Sequence, residues 1–166
     1  MEFQHKSVLL QEAVEALSIS PEGIYIDGTA GGGGHSQAIL RLLGNGELIS
    51  IDQDPDAVAV LQKRFAANPN AIIYQGNFSA MDRIAEKLGF KAVDGVLLDI
   101  GVSSYQFDNG ERGFSYHQDA PLDMRMSQSG TSARDLVNQL SWQELARIIS
   151  QYGEDRNAKR IAQGIT

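Results

Sequence analysis

The chain has 166 residues, 42% of them hydrophobic and 21% charged, a balance that suits a globular domain with a real core and excludes a disordered segment. It contains no cysteine, so disulfides and thiolate metal sites are excluded, and no metal-ligand set is expected. Its net charge of −7 argues against non-specific binding of nucleic acid, which needs a positive surface.

Residues 7–17 carry Val8, Leu9, Ala13, Val14 and Leu17 at helical spacing, and Pro21 with Gly23 closes that region. Residues 24–27 form a first strand that ends in Asp27. A glycine loop, Gly31-Gly32-Gly33-Gly34, leads into a helix over 37–43, stopped by Gly44-Asn45-Gly46. A second strand over 48–52 ends in Asp52. Pro55 sits where a first helical turn accepts it, and the helix continues over 56–67. A third strand spans 71–75 and a helix 79–88. A fourth strand spans 93–100, with Val96, Leu97 and Leu98 reading as a parallel strand buried on both faces. This alternation predicts a doubly wound α/β fold, a Rossmann-like parallel sheet with strand order 3-2-1-4.

The rhythm changes after that. Residues 101–130 show no clear period, and loops of such length are usually functional or mobile. Ser141 with Glu144 three places on makes a capping box for a helix over 142–152 that Gly153 stops, and 155–165 reads as another helix. Four strands followed only by helices is an incomplete architecture, and the apolar fourth strand would lie at an uncovered edge. The expectation is therefore the front part of a longer protein. No secretory signal and no apolar run of membrane-spanning length is visible, which makes cytoplasmic, with no membrane partner, the default.

The first strand, glycine loop, helix and second strand with its terminal acid make the pattern of a nucleotide-type cofactor site. Glycines let the backbone turn tightly and approach a ligand, and the following helix turns free N–H groups toward it. Asp52, at the carboxyl end of its strand, is placed to accept from both hydroxyls of a ribose. Gly31-x-Gly33-x-x-Ser36 nearly fits the dinucleotide fingerprint, so an NAD-dependent Rossmann oxidoreductase is one reading. S-adenosyl-L-methionine is favoured over NAD by two features. A carboxylate at Asp27, just before the loop, suits an ammonium group and would repel a pyrophosphate. Asp99, at the end of the fourth strand, stands where an acceptor can hold an exocyclic amine and relieve its positive charge as a methyl arrives.

Taken together these motifs resemble the bacterial 16S (small-subunit) ribosomal RNA cytosine-N4 methyltransferase family. The resemblance covers Asp27-Gly-Thr-Ala-Gly-Gly-Gly-Gly-His-Ser36, and also His5-Lys6-Ser7-Val8-Leu9-Leu10, Asp52-Gln53-Asp54-Pro55 and Gly76-Asn77-Phe78-Ser79. It continues through Asp99-Ile-Gly-Val-Ser-Ser104 with Gln106 and Asp108. Its most specific islands are Arg112-Gly113-Phe114-Ser115-Tyr116 and Pro121-Leu122-Asp123-Met124-Arg125-Met126, and it runs on to Tyr152-Gly153-Glu154.

What the resemblance implies is an S-adenosyl-L-methionine-dependent methyltransferase fold and transfer of a methyl group to N4 of a cytidine in 16S ribosomal RNA, free or in the small ribosomal subunit. It implies cofactor contacts at Gly33, Gly34, His35, Asp52, Phe78, Asp99 and Gln106, with Asp99 catalytic. It divides the chain into the N-terminal part of a methyltransferase domain, 1–105, and part of an inserted helical substrate-recognition domain, 106–166. The family returns from that insertion to finish the sheet, so an inactive fragment that only binds the cofactor is a further reading.

Residues 1–105 carry 7 Lys and Arg against 13 Asp and Glu, and residues 106–166 carry 7 against 8, so any RNA contact should lean on the second part. There Tyr105, Phe107, Phe114 and Tyr116 are candidates to stack on unpaired bases, with Arg112 and Arg125 meeting phosphates. The other reading of that segment is an ordered loop with aromatics in its core and Arg–Asp pairs as glue.

Overall fold

Side chains alternate along a strand, and here both alternating sets are apolar. Tyr25 and Leu48 belong to one core cluster and Ile26, Ile49 and Ile51 to another. A strand buried on both faces requires helices on each side of the sheet. The computed structural model, which describes residues 8–166, has that arrangement in the first of its two compact units, the residues up to Ser103. Strands β1 (Ile24–Asp27), β2 (Glu47–Asp52), β3 (Ala71–Gln75) and β4 (Gly95–Leu97) pair in parallel in the order β3-β2-β1-β4, as expected. The register sets Asp27 beside Ser50 and Leu97, and Asp52 beside Gln75. Helices α1 (Leu10–Ala16), α2 (Gly34–Leu40) and α3 (Pro55–Arg64) cover one face through Val14, Ile39, Leu40 and Leu61; α4 (Met81–Lys87) covers the other through Ile84 and Ala85.

Several boundaries differ from expectation. The expected start of the first helix at Ser7 lies outside the described residues, and α1 begins at Leu10 after Leu9, which adopts a left-handed φ of 48°. The second helix starts at Gly34, not at 37, because the turn is already complete at Gly33, its N-cap. His35 and Ser36 are therefore helical. At α3 the Asp54 side chain accepts from the Asp56 N–H, and Pro55, which has no N–H to lose, opens the helix.

The fourth strand is the largest departure. It stops at Leu97, because the backbone beyond is drawn over the end of β1. The Leu97 carbonyl accepts from the Gly28 N–H (2.9 Å), and the Asp99 N–H donates to Oγ1 of Thr29 (2.7 Å). Only Leu97 is buried; Val96 and Leu98, expected to be buried, are 37% and 38% exposed, since β4 lies at the edge of the sheet.

The second unit, from Ser104, is helical: α5 (Ser104–Asp108), α6 (Ala133–Gln139), α7 (Trp142–Gly153) and α8 (Ala158–Ile165). The Ser141–Glu144 capping box forms, with the Ser141 hydroxyl donating to Glu144 at 2.7 Å. The helix is ended by Glu154, which takes the left-handed conformation (φ 52°), while Gly153 is its last helical residue. A second capping box, Ser132 with Asp135, opens α6 and has no place in the sequence reading, since its third residue is Asp rather than Glu or Gln. Residues 101–130 hold α5 and a short 3₁₀ turn, Gly110–Arg112. Among the described residues no helix is long and apolar enough to cross a membrane.

Candidate functional site

The carboxyl ends of β1, β2 and β4 and the turn after β3 meet around one glycine loop, and most of the expected cofactor residues of the first unit lie there. The loop is held by its own backbone and by the strands. The Ala30 N–H donates to the Ile51 carbonyl (3.0 Å) and the Gly33 N–H to the Ala30 carbonyl (2.7 Å). Gly33 has a φ of 81°, a conformation that costs an L side chain about 1–2 kcal/mol. A Cβ there would also lie 2.9 Å from Leu61 and 3.0 Å from Phe65 of the α3 end. Glycine at this position serves the packing of the loop on α3.

Asp27 turns into the fold, whereas the sequence suggested a ligand ammonium as its partner. It is fully buried, its Oδ2 accepts from the Ser36 hydroxyl (2.7 Å) and its Oδ1 from the Thr29 N–H (3.3 Å). Because Ser36 spends its single proton on Asp27, the Ser50 hydroxyl, 2.9 Å away, is the donor to Ser36. Burial pushes the Asp27 carboxyl above its ordinary range, and the two donors only partly offset that. The carboxylate thus ties β1, β2 and α2 together, and it lends no weight to one ligand charge over another. The sequence carries a signal for this cluster that the reading passed over. Period-2 alternation puts Asp27 and Ser50 on the same face as Tyr25 and Leu48, the face that α2 covers.

His35 also turns inward. It is buried in the first turn of α2, with Nε2 3.2 Å from the Val8 carbonyl, so only its backbone faces the loop side.

Asp52 is the loop's partner. Its Oδ2 accepts from the Gly31 N–H (2.7 Å) and its Oδ1 from the Asp54 N–H (2.9 Å). The Gln53 backbone N–H bears on the same carboxylate, so about three of its roughly four acceptor positions are taken and about one stays available. Burial raises its pKa, opposed by the backbone donors of Asp54 and Gly31. It is half-buried at the strand end, which suits a group that must reach a ligand.

Phe78 opens the short 3₁₀ turn after β3 and is half-buried. A Cβ at Gly28 would fall 2.5 Å from Leu98 and 3.1 Å from Phe78, so the bare Gly28 lets the segments after β3 and β4 close over the end of β1. Asp99 is exposed at the same edge, its backbone fixed by Thr29. Thr29 is a residue the sequence reading did not single out.

The remaining candidates lie in the second unit. Gln106 is buried in α5. Arg112 is not presented to solvent: it is 7% exposed, and its Nη2 donates to the carbonyls of Arg125 and Met126, both at 3.0 Å. Arg125 forms a two-pronged pair with Asp123, Nε to Oδ1 at 2.9 Å and Nη2 to Oδ2 at 2.6 Å, and its Nη1 donates to the Gly130 carbonyl. That pair holds the Asp123 carboxyl down at about 2. Carbonyls and a carboxylate bond both arginines, as in the glue reading of this segment, while the Arg125 side chain stays 30% exposed. Phe114 is half-buried, and Tyr116 is 91% exposed beside His117.

The sequence profile of the MraW methylase family matches residues 2–166. The chain belongs to the MraW methylase family. Curated relatives of this family member include proteins called "Ribosomal RNA small subunit methyltransferase H" from Lachnospira eligens, 54% identical, and from Symbiobacterium thermophilum, 52% identical; each match covers 99% of this chain and 53% of the relative. The protein of that name from Clostridium botulinum strain Loch Maree is 47% identical over 99% of this chain and 54% of its own length. The chain thus spans about half the length of the curated relatives it matches. Among solved structures, a candidate rRNA-methylase from Clostridium thermocellum matches 61% of this chain and 58% of its own at 20% identity with a TM-score of 0.47, too distant to add to the argument.

Proposed function

We propose that this member of the MraW methylase family carries the cofactor site of an S-adenosyl-L-methionine-dependent methyltransferase that modifies N4 of a cytidine in 16S ribosomal RNA. Relatives at about half identity bear a ribosomal RNA small-subunit methyltransferase name, which supports the substrate class. The observation that carries the reading is the pairing of Asp52 and Asp99 on one sheet edge. Asp52 is braced by the Gly31 and Asp54 N–H groups and stays half-buried at its strand end; Asp99 stands exposed, its backbone fixed through Thr29.

The donor, when bound, supplies an electrophilic methyl carbon on a sulfonium. Asp52 would accept from the ribose hydroxyls, Gly33 and Gly34 line the loop, and Phe78 would offer an apolar wall to the adenine. Asp99 accepts a hydrogen bond from the exocyclic amine, whose lone pair is otherwise delocalised into the ring, and so aims it at the methyl carbon. On taking the methyl group the amine would become positive; Asp99 would stabilise that charge and accept the N4 proton, the donor leaving as a neutral thioether. The target cytosine must be unpaired or extruded to reach this edge. Gln106 and the exposed Tyr116 are the second unit's candidates for cofactor and base contacts.

The test is transfer of a labelled methyl group to 16S ribosomal RNA, offered both free and in small subunits. Asp99→Asn keeps the shape and removes the charge, and turnover should fall on the order of a hundred-fold, within the range typical of general-base removal. Unchanged turnover removes Asp99 from the mechanism. The NAD-dependent reading is met by a thermal-shift titration, since a ligand of the folded state raises its apparent stability. Stabilisation by a dinucleotide and not by S-adenosyl-L-methionine overturns the proposal, and binding without transfer favours the inactive-fragment reading.

A further inference from the structure

Arg64 lies at the last turn of α3, outside every motif that marks the cofactor site, and its side chain reaches back to the glycine loop. Its Nη1 donates to the Gly32 carbonyl and its Nη2 to Oε1 of Gln37 in α2. The peptide unit joining Gly32 to Gly33 is thereby pinned at both ends, its carbonyl by Arg64 and its N–H by the Ala30 carbonyl. The residues on either side of this peptide unit are both glycines, and Gly33 has a φ of 81°, so no side chain of its own opposes its turning and only its hydrogen bonds hold it. The neighbours of Arg64 complete the brace: Leu61 and Phe65, both buried, press on Gly33. The end of α3 therefore acts on the loop by packing on one side and by a charged hydrogen-bonding fork on the other. A guanidinium suits this because its planar fork meets two acceptors at once, and a bond from an ionised donor is stronger than a neutral one.

We infer that Arg64 is a positioning residue for the donor-binding loop, holding the Gly32 carbonyl outward so that the loop keeps the shape that receives the methyl donor. The inference rests on the methyltransferase reading for the identity of that ligand, and on the geometry alone for the effect on the loop. Arg64 touches neither ligand nor reacting atoms in this role. It acts through Gly32 and Gln37.

Two measurements on the whole chain test it. The first is calorimetric titration with S-adenosyl-L-methionine. Arg64→Ala should weaken binding about ten-fold, and Arg64→Lys, a single point donor that cannot span both acceptors, should fall between. Gln37→Ala should cost less, and should add little in the Arg64→Ala background, the non-additivity expected of residues acting as a unit. The second is amide hydrogen exchange without ligand, in which Arg64→Ala should speed exchange at Gly32 and Gly33 while leaving β1 and β2 protected. Unaltered donor affinity with unaltered loop exchange overturns the inference. Faster loop exchange in a protein whose unsubstituted form does not bind the donor upholds the brace and sinks the methyltransferase reading instead. Should Arg64→Ala fail to fold, Arg64→Lys and Gln37→Ala carry both measurements, and wild-type values for these two overturn the inference.

Discussion

The Gly31 N–H donates to Oδ2 of Asp52 at 2.7 Å, so the glycine loop and the acid at the end of the next strand are one unit and not two independent motifs. A change at either should be felt at the other. Asp52→Asn replaces one carboxylate oxygen by an amide that cannot accept, so either the Gly31 or the Asp54 N–H loses its partner and, on the proposed reading, the hold on the ribose weakens. Donor affinity should drop at least ten-fold by calorimetry. An affinity within two-fold of the parent would remove Asp52 from the cofactor site.

The buried carboxyl of Asp27 should leave a signature in the pH dependence of stability. Its folded-state pKa is raised by burial, so at pH just above the ordinary carboxylate value of about 3.9 the folded protein keeps a proton that the unfolded chain has lost. Stability must then fall as pH rises from there through the folded pKa. Asp52, raised for the same reason, adds in the same direction. In Asp27→Asn the slope over that range should be shallower, because an amide takes up no proton, and Ser36 can turn to accept from that amide and donate to Ser50 so that the cluster stays bonded. Urea titrations at a series of pH values check this, and an equal slope in both proteins counts against a buried ionisable Asp27.

At Gly33 the expected loss is in stability before function. Alanine there incurs the left-handed backbone cost and a Cβ about 3 Å from Leu61 and Phe65. Together these amount to about 2–4 kcal/mol, summing a left-handed residue with an overpacked contact. Chemical denaturation of Gly33→Ala reads the difference directly. A loss below about 1 kcal/mol would mean the loop relaxes freely, against the packing described above.

Arg112 and Arg125 lead to opposite expectations from those of phosphate-binding arginines. Arg112→Ala should destabilise by about 1–3 kcal/mol by leaving the Arg125 and Met126 carbonyls without their donor. The salt dependence of RNA binding should be unchanged, whereas loss of a phosphate contact lowers the slope by about one. Such a lowered slope would return Arg112 to the RNA interface.

Asp123 has the sign opposite to Asp27. Its carboxyl is held at about 2 by Arg125, so its contribution is present above the ordinary carboxylate pKa and is lost as pH falls through about 2. Asp123→Asn should therefore lose less stability than the parent when both are acidified over that interval, as followed by circular dichroism. Identical acid limbs would show that the pair is not maintained in solution.

The succession of strands and helices, the position of Asp52 and the capping box at Ser141 were legible in the chain, because each rests on local chemistry, and the strand order followed from the doubly wound pattern that this succession implies. Hydrophobic runs of strand length, a glycine loop and a Ser-x-x-Glu spacing act over a few residues. Less legible was anything set by a partner far along the chain. The fourth strand reads as eight residues by hydrophobicity, yet it stops at Leu97, since Gly28 and Thr29 of another strand's loop draw its backbone away.

From the chain alone came the type and succession of elements and a glycine loop followed by an acid-ended strand, for these follow from side-chain period and backbone permissiveness. The direction in which each charged group faces was set by the fold. Asp27, His35 and Arg112 turn inward to hydroxyls or carbonyls, and Arg125, 30% exposed, is paired with the Asp123 carboxylate. The physical reason is that a polar group taken from water must find a partner wherever the fold offers one, and that partner is chosen by packing, not by neighbours in the chain.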